Sequence, residues 1–175
     1  MLLLSDGITR LDILPTKPAG WDVGDGTVEL PLSAFADAVD TCGQINKPDY
    51  HLGAGPSATV ADQPLCEKGE GNAFGASTFT GTLSVLRQYD ETGHIDPLTD
   101  TVYAVIGEKG ARAWYAERTG PSAKTPLAVG DEGWIYEAES DEPSVPQDRS
   151  GYSKETIPLS VKGRRRFKVV APAGP

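Results

Sequence analysis

A strictly alternating run in the middle of the chain constrains the fold more than any other feature of the sequence. Residues 77–89 read STFTGTLSVLRQY, and the apolar positions from Phe79 to Val85 alternate with threonines and a serine. Successive side chains of a β-strand point to opposite faces of its sheet, so one face of this strand is apolar and the other carries hydroxyl groups. The run therefore predicts a half-buried strand.

Further strand patterns fill the rest of the C-terminal half. They are 111–119 (ARAWYAERT), 132–140 (EGWIYEAES), 152–161 (YSKETIPLSV) and 164–171 (RRRFKVVA). Turn-rich pieces such as TGPSAKTP, VGDEG and SDEPSVPQDRSG separate them. Strands that follow one another without an intervening helix favour a mostly β, α+β fold over a parallel βαβ sheet.

One short helix is predicted between the first strand pattern and the others. Asp96 is a suitable N-cap residue, and Pro97 suits the first helical position. Gly107 or Gly110 can end the helix. We expect the helix to pack one apolar face against the sheet, formed by Leu98, Val102, Val105 and Ile106.

Length and composition bound the class of protein. The chain has 175 residues with 38% hydrophobic content, which predicts a single domain over 1–175 with its own core. Its formal charge of −9 argues against a groove that grips nucleic acid, because phosphate binding requires clustered Lys and Arg. The apolar opening Met1 to Leu4 is too short for a signal peptide or a membrane span. We therefore expect no membrane association and synthesis in a cytoplasm.

The N-terminal half has weaker patterns. Residues 32–45 (LSAFADAVDTCGQI) allow a helix with Phe35, Val39 and Cys42 on one side. Residues 46–75 are rich in Gly, Pro, Asp and Asn, and such long connections in compact domains usually serve binding or assembly. We interpret 46–75 as an extended assembly loop and 1–25 as an N-terminal arm.

No catalytic or metal-binding constellation emerges from the sequence. His51 and His94 lie in predicted loops, and the glycine-rich residues 69–75 lack the strand, helix and lysine of a phosphate-binding loop. Turn and cap roles account for Asp90, Asp96 and Asp131. We expect no enzymatic activity and no cofactor.

The cysteine pair gives no zinc signature either. Cys42 and Cys66 are far apart and have no CxxC motif or nearby histidine pair. In a reducing cytosol both are expected to be free, buried thiols, with a structural disulfide as the alternative.

The basic cluster near the C-terminus has a strand pattern of its own. Arg164, Arg166 and Lys168 share one face of the predicted strand, and Arg165 lies on the other. In an acidic chain, we expect Arg164 and Arg166, together with Lys168, to pair with carboxylates of an adjacent copy rather than to be merely solvated.

The order of these segments resembles a known family. TFTGTLSVLRQYDE, DPLTDTVYAVIGEKGARAWYAER, GDEGWIYEAES and GYSKETIPLSVKGRRRFKVVA follow one another as in the major tail (tail tube) proteins of long-tailed, siphovirus-like bacteriophages, particularly those infecting actinobacteria. The similarity covers roughly residues 57–171. It implies a tail-tube-like β-sandwich or partial barrel that is flanked by one short helix and carries a long loop arm.

The resemblance also implies a function. Tail tube proteins form stacked hexameric rings in which each subunit adds strands to a ring-wide inner β-barrel, and the genome leaves through this tube. The implied partners are other copies of the chain and the tape measure, tail terminator and distal tail proteins, and the implied location is the virion tail, assembled in the host cytoplasm. DNA would pass without specific binding.

A polar, uncharged-to-acidic lumen lets DNA pass without sticking. The sequence offers hydroxyl and carboxylate side chains on strand faces opposite the apolar ones, namely Thr78, Thr80, Thr82, Ser84, Glu137 and Glu139.

Two other functions remain open. A non-enzymatic β-sandwich that binds a small ligand or carbohydrate could use an aromatic pocket built from Trp114, Tyr115, Trp134 and Tyr136, although Trp134 and Tyr136 are also explained by core packing beside Ala138. A hydrolase would use the loop carboxylates.

Overall fold

The computed structural model describes residues 7–22, 26–57, 59–60, 73–74 and 76–172. Its ten strands are β1 Thr9–Leu14, β2 Val28–Pro31, β3 Val39–Asp40, β4 His51–Ala54, β5 Thr59–Val60, β6 Ala73–Phe74, β7 Phe79–Leu86, β8 Arg112–Thr119, β9 Glu132–Ser140 and β10 Lys154–Val170. The described residues contain one α-helix, α1 Thr101–Ile106, and two 3-10 turns, Leu32–Phe35 and Lys47–Asp49.

Eight strands form one sheet with the order β3-β1-β8-β9-β10-β7-β4, and β2 is added to β10. All pairings in it are antiparallel except that of β2 with β10. β5 and β6 pair separately. The prediction of a mostly β fold with one short helix is confirmed, and the sheet is open rather than a closed barrel.

β10 is the longest element, with 17 residues. β9 pairs with it from Leu159 to Lys168, with a register shift between Val161 and Gly163. On its other side, β7 pairs with Lys154 to Leu159, and β2 pairs with Phe167 to Val170. The two runs 152–161 and 164–171 therefore belong to one bulged strand and not to two.

Each face of the sheet carries a hydrophobic core. On the face that we call the helix face, α1 covers a cluster that includes Ile13, Tyr115, Tyr136 and Ile157. On the opposite face, which we call the Trp114 face, a cluster of Trp114, Ile135, Phe167 and Val169 is completed by Trp21 and by Val28 and Leu30 of β2. Both faces of β8 are thus buried, which explains the apolar run AWYA at residues 113–116.

The helix is shorter than predicted and begins later. The Asp96 carboxylate accepts hydrogen bonds from the Leu98 N–H and the Thr99 hydroxyl, which closes a turn ahead of α1. Leu98 is therefore outside the helix and 84% exposed, so its assignment to the packing face was wrong. Val102 and Ile106 are fully buried, and Val105 packs against the same core as a partly buried residue.

Segments of the N-terminal half also differ from the predictions. Residues 9–14 form β1, paired along its length with β8, and so are part of the sheet rather than of an arm. Within 46–75, residues 51–54 form the edge strand β4. Residues 32–45 contain a single 3-10 turn and β3 in place of the predicted helix. Cys42 is a free and exposed thiol rather than a buried one, and Cys66 and the glycine-rich run of residues 69–75, apart from the backbone of β6, lie outside the described residues.

Candidate lumen and assembly surfaces

The predicted lumen residues on strands share one face of the sheet. Thr82 and Ser84 of β7 lie opposite Pro158 and Thr156 of β10. Glu139 of β9 lies opposite Ser160, which is also in β10. Because side chains alternate along β10, these positions all belong to the Trp114 face. Thr80 and Glu137 are on this face as well, by the same alternation. Thr78 precedes β7, and its hydroxyl donates to the Pro56 carbonyl at 2.6 Å.

Two of these residues are inside the subunit. Ser84 is fully buried, and its hydroxyl lies 2.8 Å from that of Thr156. Glu137 is 6% exposed, and its carboxylate accepts hydrogen bonds from the Trp21 indole and from Arg112. A residue covered by its own subunit cannot line a channel, so Ser84 and Glu137 are removed from the set.

The part of the Trp114 face that remains open is polar. Thr80 is exposed, Thr82 is half-buried, and the Glu139 side chain is 44% exposed. Lys162, at the bulge of β10, lies 3.7 Å from the Glu139 carboxylate and donates to the Ser160 hydroxyl at 3.0 Å. This region, which we call the hydroxyl surface, carries hydroxyl groups and a carboxylate with a cation beside it. Alternation from Pro158 through Ser160 to Lys162 places both residues on this face, so the pattern that gave Thr82 and Ser84 could have found them. The bulge after them moves Arg164 and Arg166 to the opposite face.

The basic residues lie on the opposite side of the sheet. The guanidinium groups of Arg164 and Arg166 stack over the Trp134 ring, at 4.0 and 4.6 Å from its centroid. Lys168 is 3.2 Å from the Glu132 carboxylate. Arg164, Arg166, Lys168 and Trp134 therefore form a cationic and aromatic band on the helix face, which we call the Trp134 band.

The Trp134 band adjoins a partly buried carboxylate. Glu117 of β8 lies opposite Trp134 of β9, and it accepts a hydrogen bond from the Tyr50 hydroxyl. Burial raises the pKa of Glu117 above its ordinary value of 4.5, and the smaller opposing effect is the hydrogen bond from Tyr50.

Glu117→Gln is expected to raise the melting temperature at pH 7 and to leave it unchanged below pH 4. A carboxyl group whose pKa is raised by folding binds its proton more tightly in the folded chain. The contribution of Glu117 to the free energy of unfolding is therefore fully present at low pH and is lost as the pH rises from 4.5 through the folded pKa. Glutamine keeps an acceptor for Tyr50 without the charge.

Thermal unfolding of both proteins at pH 4 and pH 7 tests this expectation, with the exposed Glu91→Gln as the matched control. An equal melting temperature of Glu117→Gln and wild type at pH 7 would contradict it.

Two arginines with buried side chains, which strand alternation does not mark as buried, hold loops onto the sheet. Arg87 donates to Asp100 at 2.7 and 2.9 Å and to Glu155 at 2.6 Å, which ties the start of α1 to β7 and β10. Arg118 is 1% exposed and forms an ion pair with Asp131 at 2.9 Å. It also donates to carbonyls of the loop 120–130, the closest being that of Ser122 at 2.9 Å.

The aromatic residues considered for a ligand pocket are divided between the two faces. Tyr115 and Tyr136 are buried in the helix-face core, Trp114 is buried in the opposite core, and Trp134 lies under the arginines. A surface groove of about 460 Å3 runs beside β1 and is lined by other residues, including Leu11, Cys42, Ile45 and Tyr50. The four aromatic residues therefore do not build a binding pocket.

The histidines have local partners. His51 Nε2 lies 3.0 Å from the Thr80 hydroxyl, and His94 Nδ1 lies 2.8 Å from that of Thr92. Within the described ranges, no group of three or more His, Cys, Asp and Glu side chains could hold a metal ion. The described part of the chain also contains no helix with the length and apolar character that a bilayer crossing requires.

Comparison with known families places these surfaces in context. The family model described as phage tail tube protein matches residues 2–174, which is nearly the whole chain. Comparison with curated proteins gives no match. The match covers both cores, the open sheet and the two polar surfaces described above, and the chain belongs to the phage tail tube protein family.

Proposed function

We propose that this chain is the structural subunit that builds the tail tube by assembling into stacked hexameric rings, through which the genome reaches the host. Membership of the tail tube family supports the structural role. The number six is what the resemblance of the sequence to tail tube proteins implies. The subunit would join other tail proteins at the tube ends, among them the tape measure, tail terminator and distal tail proteins. It acts in the virion tail after assembly in the host cytoplasm, without catalysis.

The two lateral edges of the sheet suit ring closure. In the described part of the chain, β4 pairs on one side only, with β7. At the other edge, β3 covers only Asp12 and Ile13 of β1. Unpaired strand edges expose backbone N–H and C=O groups that favour pairing with another chain. Joining the β4 edge of one copy to the β1 edge of the next would continue the sheet around a ring.

The observation that carries the lumen assignment is the contrast between the two faces. Basic groups stacked on an aromatic ring, as in the Trp134 band, are typical of surfaces that hold nucleic acid. The hydroxyl surface has Thr80, Thr82 and Ser160, and its charges at Glu139 and Lys162 oppose one another. DNA would slide past the second surface more easily than past the first, so the hydroxyl surface faces the lumen in this proposal.

Arg164, Arg166 and Lys168 then face away from the lumen. They remain available to a carboxylate of a neighbouring subunit, in addition to their contacts with Trp134 and Glu132. In this arrangement the Trp134 band belongs to a contact between subunits and not to the conduit.

Electron microscopy of the concentrated, purified protein tests the assembly itself. We expect rings or tubes, with a smallest closed particle of six copies of the 18.5 kDa chain in solution mass measurements. Protein that remains monomeric at every concentration would contradict the proposed function and would favour a binding module.

Glu139→Lys tests the lumen assignment. Because the side chain is exposed and its ion pair with Lys162 is a surface pair worth at most about 1 kcal/mol, the tube is expected to form normally. Six added cations per ring would attract phosphates, so virions carrying the variant should eject DNA more slowly, and salt should reduce the difference.

The matched control is Glu142→Lys, which makes the same charge change in an exposed loop. Loss of tubes in Glu139→Lys alone would place Glu139 at a subunit interface. Normal tubes with normal ejection would show that the hydroxyl surface does not face the lumen.

A further inference from the structure

Exposed large hydrophobic side chains occur at the two ends of β10. Among the described residues seven are exposed: Leu32 37%, Tyr89 48%, Ile95 47%, Leu98 84%, Val129 55%, Val145 54% and Tyr152 85%. Five of them lie around the start of β10, and we call them the Tyr152 patch. The other two, Leu32 and Val129, lie around its end, and we call them the Val129 patch.

Hydrogen bonds and β-bridges hold the loops that carry the Tyr152 patch near the start of β10. The Tyr89 hydroxyl lies 2.9 Å from that of Ser153, and Tyr89 forms a β-bridge with Ile95. Ser144, next to Val145, forms a β-bridge with Thr156. Leu98 lies in the turn that leads from this hairpin to α1. Five apolar side chains are thus held in solvent by an ordered framework.

The Val129 patch is fixed in the same way at the other end. The Gly130 N–H, next to Val129, donates to the Val169 carbonyl at 2.8 Å. Leu32 follows β2, whose last residue Pro31 lies opposite Val170. A strand of 17 residues at about 3.3 Å per residue spans about 55 Å when straight, so the two patches lie at opposite ends of the subunit.

The loops of the Tyr152 patch carry an excess of negative charge. Asp90, Glu91 and Asp148 are exposed there, and Arg149 is the exposed cation beside them. Repulsion between two acidic ends disfavours contact of one Tyr152 patch with another, which favours contact with the unlike end.

We propose that the Tyr152 patch of one copy packs against the Val129 patch of the next copy along the tube axis. This inference rests on the proposed function and assigns the residues of the contact between rings. Two different patches at opposite ends form a heterologous contact, which repeats without closing and produces an open filament. Burial of exposed apolar side chains supplies its driving force.

The double variant Leu98→Ser, Tyr152→Ser tests the contact. Both side chains are more than four-fifths exposed and outside helices and strands, so folding and ring formation should be retained. We expect the protein concentration required for tube growth to rise at least about tenfold, a factor that corresponds to about 1.4 kcal/mol. Tyr152→Phe is the matched control, because it keeps the apolar ring and should form normal tubes.

Mixing separates a heterologous contact from a symmetric one. Rings of the double variant keep an intact Val129 patch, so they should add to one end of a wild-type tube and block further growth. A small fraction of variant rings should therefore shorten wild-type tubes in electron micrographs. If rings of the double variant fail to polymerise but leave wild-type tubes at full length, the head-to-tail assignment is overturned.

The remaining outcomes are also decisive. Normal tubes from the double variant would overturn the inference while leaving the proposed function intact. Wild-type protein that forms neither rings nor tubes would overturn both.

Discussion

Arg118→Met is expected to lower the free energy of unfolding by about 3–5 kcal/mol, as removal of one partner from a buried ion pair usually does. The Arg118 guanidinium forms an ion pair with Asp131 at 2.9 Å and donates to carbonyls of Pro121, Ser122 and Thr125. Methionine fills a similar volume but leaves these acceptors without their donor. Chemical denaturation monitored by circular dichroism measures the loss.

A double-mutant cycle shows how much of the loss comes from the unpaired Asp131 carboxylate. Asp131→Asn keeps the acceptor for the Ala128 N–H and removes the charge that Arg118 balances. Adding it to Arg118→Met should recover part of the stability, because no unpaired charge remains. Arg149→Met, at an exposed arginine, is the matched control and should change stability by less than about 0.5 kcal/mol. An Arg118→Met protein as stable as this control would refute the structural role of Arg118.

Arg118 also shows where reading from the sequence ends. The run ARAWYAERT predicts β8 correctly, and its alternation places Arg112 and Arg118 on the same face without distinguishing between them. Arg112 is exposed, with 59% of its side chain accessible, whereas Arg118 is buried. The difference arises because the loop 120–130 folds back over one end of the strand, and period-2 patterns contain no information about such coverage.

The lumen candidates divide into buried and exposed residues because of similar coverage by distant parts of the chain. Alternation alone places Thr80, Thr82 and Ser84 on one face, and the structure has them there. The burial of Glu137 depends on Trp21, which is distant in the chain and donates its indole N–H to the carboxylate. Contacts between residues far apart in sequence decide which half of a polar face stays open, and a single sequence does not specify them.

The start of the helix depends on a competition between a turn and a helix cap, both of which Asp96 can stabilise. Asp96 was predicted to cap a helix that starts at Pro97, and its carboxylate does accept a backbone N–H two residues later. That bond closes a turn instead of starting the helix, because short polar side chains stabilise turns and helix starts through similar contacts. Asp100, paired with Arg87, is the residue that precedes α1. The apolar spacing of Val102 and Ile106 was therefore informative, and that of Leu98 was not.

Gly133→Ala is expected to destabilise the subunit by more than about 3 kcal/mol, at the upper end of overpacking effects, and to make it insoluble. Gly133 lies in β9 between Arg118 of β8 and Phe167 of β10. A Cβ atom there would overlap the Glu117 carbonyl oxygen and would be 2.9 Å from the Phe167 ring. Strand backbone cannot give way as a flexible side chain can, so the central strands would have to separate.

A glycine with open space around it provides the matched control for this clash. Gly120 has no atom within 4 Å of a Cβ built on it, and Gly120→Ala keeps the N–H that donates to the Ile8 carbonyl. Gly120→Ala should therefore be soluble and should melt within a few degrees of wild type, because alanine only restricts the unfolded chain. Gly133 is needed because the Phe167 ring and the β8 backbone occupy the space that a side chain would require. If Gly133→Ala were soluble with the melting temperature of Gly120→Ala, the packing of β9 between its neighbours would have to be looser than the structure shows.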